Sequence, residues 1–202
     1  FINFFVFIFY IFQSQNSLAE MTLQELFFDE SKPFHLKILE VIPENGKIEI
    51  GPTNAKNTII EFMDYLCSYC KKIHPELIEI AKTRDDTRVI FIQHPILSQS
   101  STIIAEMVVA ASYQDKDLDF HNEIFSIQGS LTHEKLNQII EKLEINSTKL
   151  AIDISKDETK NIVKLSSFLA NGAGARGTPT LFINEEIFPG YISAQQIKSL
   201  LK

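Results

Sequence analysis

Residues 57–83 read NTIIEFMDYLCSYCKKIHPELIEIAKT. The first seven, Asn57 to Met63, are β-rich and mostly apolar, which is the pattern of a buried strand. The period then changes. Cys70, Ile73, Leu77 and Ile80 recur at steps of three and four, which predicts a helix starting near Cys67. Strand and helix meet at Cys67-Ser68-Tyr69-Cys70. Residues 88–93 (RVIFIQ) form a further predicted strand, so the stretch reads β-α-β with two cysteines at its first joint.

Working outward, Gly46 opens a short strand over residues 47–50 and Gly51-Pro52 closes it. From Ser98 the texture is helical. SQSSTIIAEMVVAASYQ (residues 98–114) places Ile103, Ile104, Met107, Val108 and Ala111 on one side. Further helices are predicted over 118–127, 132–143, 147–154 and 157–169, and nothing in 98–172 reads as a strand. The β pattern returns at residues 180–183 (TLFI), turns at Asn184-Glu185-Glu186 and pairs back through Ile187-Phe188. Ser193 and Gln196 form a capping box for a last helix. The fold class is α/β: one α/β unit (46–97 and 175–202) interrupted by an all-helical insert (98–174).

Composition sets limits. The chain has 202 residues, 45% hydrophobic and 22% charged, which suits a packed core and not wholesale disorder. Asp and Glu number 26 against 19 Lys and Arg, for a net charge of -7, so no nucleic-acid partner is expected. Two cysteines exclude a disulfide-stapled scaffold and any four-cysteine zinc or iron–sulfur site.

Residues 1–12, FINFFVFIFYIF, are apolar or aromatic except for Asn3. That is the length of a signal-peptide core and too short to span a bilayer alone. Ser17-Leu18-Ala19 is a small-x-small cleavage site, so residues 1–19 are expected to be a signal peptide, incomplete at its start, with Glu20 the mature N-terminus. A buried element or a retained membrane anchor are the alternatives. Export would put the cysteines where disulfides persist. Residues 20–45 are expected to be a helical extension, with Leu23, Leu26 and Phe27 at helical spacing and a second short helix ending before Pro43.

The chemistry centres on the C-x-x-C. Across a helix start the two sulfurs lie about one turn apart, close enough to bond. Cys67 faces the unpaired N–H groups and the positive end of the helix dipole, which lowers its pKa and makes it nucleophile and leaving group. Cys70, one turn in, is placed to resolve a mixed disulfide. The plain alternative is two core cysteines near each other by accident. Cys67, Cys70 and His74 offer at most three metal ligands, so no metal is expected, and no cofactor is needed. Glu61 is a charged residue in an apolar strand: either a buried acid that relays the Cys70 proton, or a strand-edge residue facing solvent. Thr178-Pro179 precedes the last apolar strand. Proline there marks either a cis turn that exposes the Thr178 backbone to an extended peptide, or a trans residue that merely starts the strand.

These segments carry a resemblance. EFMDYLCSYCKKIHPEL (61–77), RVIFIQHPIL (88–97), FHNEIFSIQGSLTHEKL (120–136) and ARGTPTLFINEEIFPGYIS (175–193) resemble, in order, the DsbA family of thiol-disulfide oxidoreductases in the thioredoxin superfamily. The likeness runs over about residues 46–202. It implies a thioredoxin-like fold with an inserted all-helical domain that caps the cysteine helix. It also implies Cys67 as attacking cysteine, Cys70 as resolving cysteine, Glu61 as buried acid and Thr178-Pro179 as a cis-proline loop. Ser68-Tyr69, the pair that tunes potential, departs from the Pro-His of the strongest oxidants.

The resulting expectation is an exported oxidase, periplasmic or envelope-bound. Its substrates would be unfolded secreted proteins with free thiols. Its reoxidant, implied by the resemblance, would be a membrane quinone-linked partner, and a monomer is expected. The competing readings are an isomerase or reductase, often built into oligomers by N-terminal extensions such as 20–45, and a peptide-binding surface protein without turnover.

Overall fold

The computed structural model describes residues 33–202, so the predicted signal peptide and the first helix of the extension lie outside the described residues. The chain divides into two units at Val41/Ile42. In the first, Pro33 precedes helix α1 (Phe34–Val41), and the Leu36 N–H donates to the Pro33 carbonyl. The second unit carries the remaining elements.

After a 3₁₀ turn at Glu44–Gly46 come β1 (Lys47–Ile50), β2 (Asn57–Met63), α2 (Ser68–Thr83) and β3 (Thr87–Gln93). The helices α3 (Gln99–Ser112), α4 (Asp117–Ser126), α5 (His133–Lys142), α6 (Ser147–Ser155) and α7 (Asp157–Gly172) follow, with no strand among them. β4 (Thr180–Ile183), β5 (Glu186–Pro189) and α8 (Ala194–Leu200) complete the sheet side. An all-helical segment is thus inserted between β3 and β4 of an α/β unit, the architecture expected from the sequence.

The five strands lie in the order β1-β3-β2-β4-β5. β2 pairs parallel to β3 through α2, the β-α-β unit read around the cysteines, and the other neighbours are antiparallel. β2 is central and all seven of its residues are buried, which accounts for its continuous apolar run. Ile59, Glu61 and Met63 alternate onto one face of it. α2 buries Cys70, Ile73, Leu77 and Ile80 in the same core as Ile59 and Met63. The turn from β1 to β2 needs Gly51: its φ is +104°, and a Cβ there would fall 2.5 Å from the Thr87 carbonyl oxygen.

Three of the five insert helices start at a side-chain cap. Ser98, Thr132 and Asn146 side chains accept from the backbone N–H three residues on, which ends each loop and starts α3, α5 and α6. α4 packs against α2, and α7 against β3. The insert therefore sits over the cysteine helix and one end of the sheet.

Candidate active site

Cys67 is the N-cap of α2, with extended backbone (φ -76°, ψ 119°), and its sulfur accepts from the Cys70 N–H at 3.4 Å. The loop before it is tied by Asp64. The Asp64 carbonyl accepts from the Cys67 N–H at 3.0 Å. One carboxylate oxygen accepts from Leu66 N–H at 2.8 Å, the other from Ile96 and Leu97 N–H at 2.9 and 3.0 Å. A single buried carboxylate thus fastens the β2–α2 joint to the β3–α3 connection. Sequence reasoning did not single out Asp64. Its signal was available: an Asp between a strand and a helix start serves local backbone N–H groups.

Thr178 and Cys67 lie 111 residues apart, yet the Cys67 thiol donates to the Thr178 carbonyl at 3.2 Å. The Thr178-Pro179 bond is cis, and Gly190 N–H donates to the Pro179 carbonyl at 2.8 Å, holding this turn to the end of β5. The fold therefore brings together Cys67, Cys70, Thr178 and Pro179. Both cysteines are free thiols, Cys67 7% exposed and Cys70 wholly buried.

Their acidities diverge. Cys67 is lowered to about 6. The largest cause is the Cys70 thiol, which hydrogen-bonds the Cys67 anion; burial opposes this, while the Thr178 hydroxyl and the Cys70 and Tyr69 N–H groups add to it. In the fold that Thr178 hydroxyl is buried and has no hydrogen-bond partner, so it is free to serve the thiolate. Cys70 is raised, first by burial and then by its bond to Cys67 and the nearby Glu61 charge.

Glu61 is fully buried in β2, opposite Phe91 on one side and Leu181 on the other, so it does not face solvent at a strand edge. Neither carboxylate oxygen has a hydrogen-bond partner in the fold. Burial pushes its pKa up to about 8; the Cys70 thiol lowers it in part, and the Cys67 charge raises it.

His74 is buried among the rings of Phe91, His121 and Phe125. Its Nε2–H donates to Asn122 Oδ1 at 3.0 Å, and its ring stacks on Phe125 and meets His121 at 4.7 Å. His121 Nδ1 in turn shares a 3.0 Å hydrogen bond with the Tyr65 hydroxyl. These contacts join the cysteine helix to α4. No periodicity in the sequence announces them, because Tyr65 and His121 meet only through the tertiary fold.

The family model for thioredoxin matches residues 44–202. The chain belongs to the thioredoxin family. This thioredoxin-family chain is 23% identical over 169 residues to disulfide bond formation protein D of Bacillus subtilis, a match over 78% of this chain and 76% of that protein. It is also 23% identical over 149 residues to Na(+)/H(+) antiporter NhaA 3 of Salinispora tropica, a match over 73% of this chain. The chain spans only 23% of that antiporter's length. Among solved structures, a periplasmic thioredoxin-like protein from Salmonella enterica serovar Typhimurium superposes with a TM-score of 0.71 at 23% identity. That likeness covers 81% of this chain and 93% of the other and shows the shared fold. Within this family fold, a closely spaced dithiol with one acidic and one buried thiol is an arrangement suited to thiol–disulfide exchange.

Proposed function

We propose that this chain is an exported thiol–disulfide oxidoreductase that introduces disulfides into secreted proteins through Cys67 and Cys70. The observation that carries the reading is the Cys67 sulfur: N-cap of α2, lowered to about 6, and 3.2 Å from the Thr178 carbonyl.

The reaction starts from the Cys67–Cys70 disulfide. An unfolded substrate lies extended along the Thr178-Pro179 turn, and its thiolate attacks the Cys67 sulfur. The bond between Cys67 and Cys70 breaks and its electron pair leaves on Cys70. The raised pKa of Cys70 makes that thiolate take up a proton, for which Glu61, protonated below about 8, is the buried donor. A second substrate thiolate attacks the substrate sulfur of the mixed disulfide. Cys67 leaves as a thiolate, which the helix start, the Cys70 thiol and Thr178 stabilise. Two electrons pass from the substrate dithiol to the Cys67–Cys70 pair, and a membrane quinone-linked partner takes them up afterwards.

Export rests on the apolar run at 1–12 and the cleavage site before Glu20, and the periplasmic relative supports an envelope location. Among the described residues no helix is long and apolar enough to cross a membrane. We assign residues 46–97 and 175–202 to the thioredoxin-like domain and 98–174 to the insert.

The test is the potential of the Cys67–Cys70 couple in a glutathione titration, paired with single-cysteine variants. An oxidase gives a strongly oxidising value. C67A abolishes exchange and C70A accumulates mixed disulfides, because attack survives while resolution is lost. A potential near the thioredoxin end assigns the protein to reductase chemistry instead.

A further inference from the structure

A cavity of about 340 Å³ opens beside Cys67, and Cys67 itself is part of its wall. Tyr65 contributes from the joint before α2. Ile124 contributes from α4, and Ile127 and Leu131 from the connection between α4 and α5. Lys71 is the charged residue of the lining. The groove is thus built jointly by the cysteine helix and the helical insert. Leu131 also borders a second apolar hollow of about 150 Å³, lined by Ile103, Ile104 and Met107. The two hollows lie on either side of Leu131, the residue that their walls share.

We propose that this groove reads substrate sequence: it seats a large apolar side chain close to the substrate's reacting cysteine, with an acidic residue next to it at Lys71. The proposal rests on the disulfide-exchange reading and names the substrate class of that same site.

Three observations support it. The first is continuity. A thiolate that attacks Cys67 must arrive at one end of the groove, so the segment next to it is the chain that carries that cysteine. An extended chain advances about 3.3 Å per residue and points alternate side chains to one side, so a neighbouring residue reaches the hollow within one or two steps. The second is that the walls are fixed before substrate arrives. The Tyr65 hydroxyl is bonded to buried His121 at 3.0 Å, and the Tyr65 ring lies 5.2 Å from that of Phe125. Lys135 Nζ donates to the Gln128 and Ser130 carbonyls at 2.8 and 3.0 Å and holds the α4–α5 connection in place. Preformed walls lower the ordering cost of binding. The third is charge. The molecule is acidic overall, but here Lys71 stands beside the positive end of α2. This local field favours a carboxylate and disfavours a lysine.

The experiment follows reduction of the oxidised full chain by four dithiol peptides that differ only next to one cysteine, leucine or serine combined with glutamate or lysine. Dithiothreitol is the small-molecule reference. The wild type should react about tenfold faster with leucine than with serine, the scale of discrimination an apolar pocket gives. It should also favour glutamate over lysine. Leu131→Ser, which removes the wall, and Leu131→Trp, which fills the hollow, should each shrink the leucine-to-serine ratio. Lys71→Glu should reverse the charge preference. Equal rates for all four peptides, or a leucine-to-serine ratio that survives both Leu131 variants, would overturn the proposal and leave the exchange reading standing. Failure of the wild type to exchange with dithiothreitol would remove both.

Discussion

Beside Cys70, burial holds the Glu61 carboxyl at about 8, far above its ordinary 4.5, and the Cys70 thiol offsets only part of the cost of its charge. The sign of its effect on stability follows from proton binding. Between about pH 4.5 and 8 the folded protein keeps a proton that the unfolded chain has lost. Stability therefore falls as pH rises through that window, by at most about 1.4 kcal/mol per pH unit, and levels off above it. E61Q should flatten this slope, measured by urea unfolding of the oxidised protein at pH 5, 6, 7 and 8. An unchanged slope would show that Glu61 does not titrate there. In exchange assays E61Q should slow the step that ends with a protonated Cys70, and slow it more at low pH, where the native residue carries its proton. Glu61 was visible in the sequence as a charge in an apolar strand. What settles it as buried is the pairing of β2 with β3 and β4, which no local pattern states.

At the scale of elements, the joint between β2 and α2 is held by one side chain. Asp64 accepts three backbone N–H groups from two loops, and none of those donors keeps that partner when the carboxylate is removed. Asp64→Ala should cost at least about 2 kcal/mol by denaturant unfolding, and Asp64→Asn, which keeps one acceptor oxygen, about half of that. A loss within experimental error for both would mean the loops are held by other contacts. Elements with strong periodicity were readable in advance: β1, β2 and β4 fall where the apolar runs place them, and the five insert helices begin within a residue or so of where the sequence pattern starts them, three of them at a side-chain cap. The last hairpin was less so. Asn184 adopts φ 54°, a left-handed conformation that Asn tolerates, so two residues suffice for the turn and Glu186 pairs with Ile183. The sequence had placed Glu186 in the turn. The Tyr65–His121–His74–Asn122 contacts stayed invisible for a different reason: α2 and α4 have separate periodicities, and neither tells which faces meet.

Across the whole molecule, the two buried titrations act in opposite directions, and the redox state decides which is seen. In the reduced protein Cys67 is lowered to about 6 against an unfolded thiol near 8.5. A lowered acid contributes stability that is complete above the unfolded value and is lost as pH falls through the folded one. From about pH 6 to 8 the Cys67 contribution rises while that of Glu61 falls, so the reduced protein should show a nearly flat stability there. Below pH 6 the Glu61 slope stands alone. The oxidised protein has no thiolate, and its stability should decline steadily from pH 5 to 8. The small loop closed by Cys67 and Cys70 restrains the unfolded chain only modestly. Reduced and oxidised forms should therefore converge near pH 5 and separate toward pH 8, with the reduced form the more stable. That is the condition under which the protein gives its disulfide away, since reduction then releases free energy. Paired thermal melts of both redox forms at pH 5, 6, 7 and 8 measure the gap, and the same series in E61Q isolates the Cys67 contribution, because the carboxyl slope is then absent from both forms. A gap that is constant with pH would place the stabilisation somewhere other than the Cys67 thiolate. A gap of opposite sign at every pH would make the protein a reductant and reverse the direction of electron flow through Cys67 and Cys70.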